Sequence, residues 1–165
     1  MIPALLLAMA LSSAAVPAQP ATADERRSLS GISGVDVVVE QLDPTALADG
    51  LTTDQLKTEA QLKLGAAGIK VSTRYESYLD IEVIYLTVND KSENLNLGFV
   101  ASIMVSLKQL ANLARHKEIS TWARTWQRKG LIYGPPGQGR EAVKNGVGNL
   151  VSQFIGDYLP ANPKP

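Results

Sequence analysis

Cysteine is absent from all 165 residues. That removes a disulfide framework, a thiolate metal site, a cysteine nucleophile and any lipid-attachment cysteine. Histidine occurs once, at His116, so a metal centre would have to be built almost wholly from carboxylates, and no compact Asp/Glu cluster offers itself. No metal and no cofactor are expected. Sixteen basic residues balance sixteen acidic ones, so the chain lacks the positive field that non-specific nucleic-acid binding requires. A Gly-x-Ser-x-Gly nucleophile turn is also missing, and no other set of residues amounts to a reaction centre.

Long apolar runs are scarce, and the one near the start has the form of a secretory leader. Residues 2–10 are its apolar core, small residues and prolines follow, and Ala21-Thr22-Ala23 precedes the charged Asp24-Glu25-Arg26-Arg27. Cleavage is expected after Ala23, giving a signal peptide over 1–23. The apolar run is shorter than the roughly 20 residues that span a bilayer and is broken by Ser12, Ser13 and Pro17. No membrane anchor is therefore expected after cleavage, and a periplasmic or secreted protein follows. The remaining length suits one domain with a real core.

Residues 24–34 are polar and glycine-containing, and read as a flexible lead-in. Residues 35–42 form the first strand, where the β-branched run Val37-Val38-Val39 suits the middle of a sheet. Thr52 and Gln55 have capping-box spacing, and Leu51 and Leu56 that of a hydrophobic staple. A helix is predicted from Thr53 to Ala67, with Leu56, Ala60, Leu64 and Ala67 on one face and Gly68 as its left-handed stop. Residues 69–71 then begin a short second strand.

Residues 78–88 form a third strand. Leu79, Ile81, Val83 and Tyr85 alternate with Asp80 and Glu82, but Ile84, Leu86 and Val88 make the second face apolar too, which calls for a bulge or for cover on both sides. Phe99, Ala101, Ile103, Val105 and Leu107 continue the period of two in a long strand that turns near His116-Lys117 and returns through residues 120–127 as a hairpin. Residues 107–115 also fit a helix. The last helix, 140–159, carries Val143, Val147, Leu150, Val151, Phe154, Tyr158 and Leu159 along one side. The fold class is α/β (α+β): a two-layer sandwich in β-α-β-β-β-β-α order, with a mixed sheet of about five strands and two helices on one face. One domain over 35–159 and a tail over 160–165 complete the chain.

Three patterns invite chemistry. Residues 134–141 (Gly-Pro-Pro-Gly-Gln-Gly-Arg-Glu) lie between an apolar strand and a helix, as a phosphate loop would, yet Arg140 and Glu141 stand where a Lys and a hydroxyl are needed. A strand-to-helix turn explains the glycines and prolines. Asp80 and Glu82 share a strand face, as general acid-base pairs do and as any solvated strand face does. Trp122, Arg124, Trp126 and Arg128 alternate, so strand periodicity projects all four from one side. They are the candidate binding residues, either as an adhesive guanidinium and indole surface or as rings covering the core edge with arginines reaching past them to water.

The chain resembles a family of small uncharacterised exported proteins of Gram-negative bacteria. The resemblance runs through Gly-Val-Asp-Val-Val-Val-Glu (34–40), Gly50-Leu51-Thr52, Ala67-Gly68-Ile69, Thr125-Trp126, Phe-Ile-Gly-Asp-Tyr-Leu (154–159) and Asn162-Pro163. The element order is similar to that of envelope accessory domains such as the amino-terminal domain of the Tol-system propeller protein and the lipopolysaccharide-assembly lipoprotein. The missing lipid-attachment cysteine departs from the second, and no functional residue is carried over from either. The export signal, the absent reaction centre and a sheet whose other face or edges could accept a partner make the expected function that of a non-enzymatic partner-binding or assembly module of the cell envelope, its partner an envelope protein. The alternatives are a carrier of a small apolar ligand held between sheet and last helix, or a hydrolase whose residues do not declare themselves.

Overall fold

The structure, a computed structural model, describes residues 20–163. The expected signal peptide lies outside that range but for residues 20–23. In chain order the elements are α1 (Ala23–Ser28), β1 (Asp36–Val39), α2 (Pro44–Ala48), α3 (Thr53–Ala66), β2 (Ser77–Asp90), β3 (Leu95–Leu113), β4 (His116–Gly134) and α4 (Gly139–Ala161). Among the described residues four strands make one mixed sheet in the order β1-β2-β3-β4, with β1 parallel to β2 and the rest an antiparallel meander. The two-layer α/β reading holds, with four strands where five were expected.

The missing strand is 69–71. After Gly68, at φ +75°, Val71 makes a single parallel bridge to Val35, and Ser72 then turns the chain by accepting from the Arg74 amide. Two short helices appear where none was expected. Thr22 and Glu25 form a capping box at the start of α1, so the expected lead-in is ordered there. Asp43 caps α2 through the Ala46 amide with Pro44 in its first turn, and its second oxygen accepts from the Tyr85 amide of β2. At α3 the Thr52 hydroxyl accepts from Gln55 N, with Leu51 and Leu56 buried beside it.

One face of the sheet holds the core. Leu79, Ile81, Val83 and Tyr85 of β2 and Phe99 to Leu107 at every second position of β3 meet Leu56, Ala60 and Leu64 of α3. Val143, Val147, Leu150, Val151 and Phe154 of α4 close the same layer. Leu159 departs from the expected stripe and is exposed. The helix also outlasts Pro160, which costs one hydrogen bond this near the end. Beyond it Asn162 accepts from Gly31 N and donates to Leu29 O, both at 2.8 Å, while the Tyr158 hydroxyl donates to Ile32 O. Asn162 of the expected tail and Tyr158 thus hold residues 29–32 in place.

Two expectations about strand position fail. The Val37-Val38-Val39 run belongs to an edge strand, with Val37 buried on the core side and Val38 exposed on the other. At the far end of β2 a bulge does fall between Val88 and Asn89, but Ile84, Leu86 and Val88 ahead of it are exposed, so that face is uncovered there. The segment 107–115 is strand up to Leu113, and the hairpin turns at Ala114-Arg115, two residues earlier than expected.

Candidate functional site

The four alternating residues of β4 do not share a face. Leu107 pairs with Trp126 but Lys108 pairs with Arg124, so Thr125 is an extra residue in β4 and the strand's alternation reverses across it. Trp126 and Arg128 point into the core layer, at 1% and 6% exposure, whereas Trp122, 51% exposed, and Arg124 stand on the opposite, open face. The expectation of one Trp/Arg surface is thereby corrected: a bulge, invisible to a period-two reading, divides it into two unrelated pairs.

The inward pair is structural. Trp126 packs edge-on against Phe154 with ring centroids 5.1 Å apart, and its indole N–H donates to Asp157 Oδ2 at 3.0 Å. The Arg128 guanidinium lies 4.8 Å from the indole centroid and donates to the same carboxylate oxygen at 2.9 Å, with Glu25 of α1 at 3.4 Å. One carboxylate on α4 and one on α1 therefore compensate an arginine buried in the sheet, locking three elements together. Partial burial works against an ionised Glu25, but the Thr22 amide, the Arg128 charge and the Gln127 amide outweigh it and hold its carboxyl below the usual range. Asp157 was not singled out in the sequence, although a carboxylate three residues after Phe154 and one before Tyr158, on an otherwise apolar helix flank, was a usable signal.

The Gly/Pro loop also serves packing. A Cβ at Gly139 would collide with the Tyr85 hydroxyl and the Asp49 carboxylate, which hydrogen-bond to each other, so the start of α4 sits directly on that pair. Burial, then the Asp49 hydrogen bond, pushes the Tyr85 phenol up and keeps it protonated as the donor. His116 is exposed at the start of β4, 3.1 Å from Glu118.

On the open face, strand register sets the side chains in rows. Asp36, Tyr78, Lys108 and Arg124 form one row, Val38, Asp80, Ser106 and Gln127 the next, then Glu82, Met104 and Lys129, then Ile84, Ser102 and Leu131, then Leu86, Val100 and Tyr133. Ile84, Leu86, Val88, Leu131 and Tyr133 are exposed. In the middle, Lys108 Nζ lies 2.7 Å from Asp80 Oδ2 and 3.8 Å from Glu40, and the hydrogen bond to Asp80 raises the lysine pKa against the opposing effect of burial. Asp80 Oδ1 and its cross-strand neighbour Ser106 Oγ are buried with no hydrogen-bond partner. Tyr78 meets Trp122 edge-on at 5.1 Å. The strand pairing thus brings Asp80 and Glu82 onto one face as expected, with Asp80 engaged by Lys108.

Two clefts flank this framework. One, about 520 Å³ between α3 and α4, is lined by Asp54, Gln55, Glu59, Arg140, Glu141 and Lys144. The other, about 350 Å³ at the rim of the sheet, is lined mainly by Val88, Leu97, Phe99, Val100, Tyr133 and Ala142, with Gln138 its polar side chain. Among the described residues no helix is long and apolar enough to cross a membrane, and no group of three or more His, Cys, Asp or Glu is placed to hold a metal ion.

No protein-family model matches the sequence, and no curated protein matches it. Among solved structures, the chain is similar to a dodecameric PelC variant from Paraburkholderia phytofirmans, at 13% identity and TM-score 0.43, over 89% of this chain and 97% of that one. It is also similar to a minor lipoprotein from Acinetobacter baumannii, at 13% identity and TM-score 0.39, over 79% and 93% of the two chains.

Proposed function

We propose that this chain is a non-enzymatic, exported partner-binding or assembly module of a bacterial cell envelope, and that the open face of its sheet receives the partner. One observation carries the reading: Ile84, Leu86 and Val88 of β2 and Leu131 and Tyr133 of β4 stand exposed on one face of the sheet, linked across β3 by the half-buried Val100. A contiguous apolar patch costs solubility and is kept where something covers it. The apolar run of residues 2–10 supports export as the compartment.

A photo-reactive amino acid at Leu86 tests this in intact cells. A defined covalent adduct is expected at Leu86 and none at Leu62, an equally exposed leucine on α3. The same adducts at both positions, or none at Leu86, would refute the open face as the binding surface.

The apolar-ligand carrier keeps support from the rim cleft beside Phe99 and Tyr133. The space between sheet and α4 does not serve it, since Ile103, Val147, Val151 and Phe154 fill that layer. Native mass spectrometry of gently purified protein would reveal a bound mass in that case.

A further inference from the structure

We infer that the occupant of the open face is a second copy of this chain, stacked sheet on sheet about a two-fold axis that runs along the strands between β2 and β3. The inference rests on the open face being a binding surface, and adds which partner fits it.

The charges on this face are segregated across the sheet. The acidic groups Asp36, Glu40, Asp80 and Glu82 lie on the line of β1 and on β2, and the basic groups Lys108, Arg124 and Lys129 on β3 and β4. Glu40 prolongs β1, donating its amide to Ile81 O, and lies within 3.8 Å of Lys108, which sets it on the same face. Along the strands the order is different: charge lies in the middle rows, with Ile84, Leu86, Val100, Leu131 and Tyr133 toward one end and Leu110 and Trp122 of the projecting β3–β4 hairpin toward the other.

The separation of charge across the sheet selects one symmetry. A two-fold axis across the strands would set acid on acid and base on base. A two-fold axis along the strands exchanges β1 with β4 and β2 with β3 while leaving each row at its own height. Arg124 of one copy then comes over Asp36 of the other, Lys129 over Glu40, and the apolar rows over each other. Every such pairing occurs twice, as an isologous interface requires. Sheets stacked in this way pack nearly aligned at about 10 Å, within reach of long Arg, Lys and Glu side chains.

The extent is also right. Three strands of some eleven residues and the shorter β1, at about 4.8 Å spacing and about 3.4 Å per residue, make a face of roughly 600 Å², hence about 1,200 Å² in total, at the lower end of the range of stable interfaces.

Charge exchange tests this. The wild-type mature chain is expected to sediment at twice its monomer mass. The variant Arg124→Glu/Lys129→Glu and the variant Asp36→Lys/Glu40→Lys should each dimerise at least about tenfold more weakly, and a mixture of the two should recover a heterodimer. Thermal melting by circular dichroism establishes that each variant is folded. Because Glu40 also contacts Lys108, Asp36→Lys alone, expected to weaken dimerisation in the same direction, replaces the second variant if that one does not fold. A monomeric wild-type chain, dimers indifferent to both variants, or a mixture that stays monomeric would overturn the inference. If Leu86 at the same time cross-links a different envelope protein, the binding face stands and only the second copy falls.

Discussion

Replacing Trp126 with alanine removes the largest fully buried side chain of the domain, and replacing Trp122 removes one that is half in water. At Trp126 the loss comprises contact with Phe154, the indole hydrogen bond to Asp157 and the ring beneath Arg128. Truncating a buried aromatic to alanine costs about 3 to 5 kcal/mol, and the cavity left between β4 and α4 has little freedom to collapse, since Arg128 and Asp157 anchor its edges. For a chain of this size that is a fall of about 10 to 15 °C in Tm. Trp122 loses an edge contact with Tyr78, about 1 kcal/mol or less, and a few degrees. Thermal and urea unfolding of both variants, followed by far-ultraviolet circular dichroism, measure the difference. The emission of each single-tryptophan protein adds a check, since Trp126 should emit from an apolar site and Trp122 from a wet one. Equal losses of Tm, or a larger loss at Trp122, would refute the division of β4 by its bulge at Thr125.

Other consequences can be checked in the same way. Glu25 has a depressed folded-state pKa, so its contribution is whole above about pH 5 and is lost as pH falls through that lowered value. Glu25→Gln should accordingly flatten the acid limb of a stability profile, and an unchanged limb would count against the Arg128 pairing. Lys108 is raised, so its contribution is present below the ordinary lysine range and is lost as pH rises through the folded value. Lys108→Met should leave Asp80 buried and unpaired at a cost of about 3 to 5 kcal/mol, much of it recovered by the double variant with Asp80→Leu, as urea midpoints would show. Gly139→Ala must displace the Tyr85–Asp49 pair, at a cost of about 1 to 3 kcal/mol measured by thermal melting. The exported protein should retain Thr22, because cleavage after Ala23 would remove the cap of α1; intact mass spectrometry reads the mature start directly.

Local signals in the chain were sufficient for the elements whose causes are local. Thr52, Gly68 and the stripe of Val143 to Tyr158 define α3 and α4 because capping, a left-handed stop and helical periodicity act within a few residues. Alternation in 99–107 likewise identifies the core face of β3. The capping box of Thr22 and Glu25 and the Asp43-Pro44 start were equally legible, and they mark the two helices that broader composition concealed.

What the tertiary structure decided is whatever depends on a partner distant in sequence. The valine run of β1 is the same in a central or an edge strand, and only the sheet order places it at the edge. A single bulge residue reverses every later side chain, so Trp126 and Arg128 turn inward because Leu107, Phe154, Asp157 and Glu25 wait there, contacts that no periodicity in β4 encodes. The open face is a product of the same register: Asp36 and Arg124, 88 positions apart in sequence, share a row because hydrogen bonding across four strands aligns them.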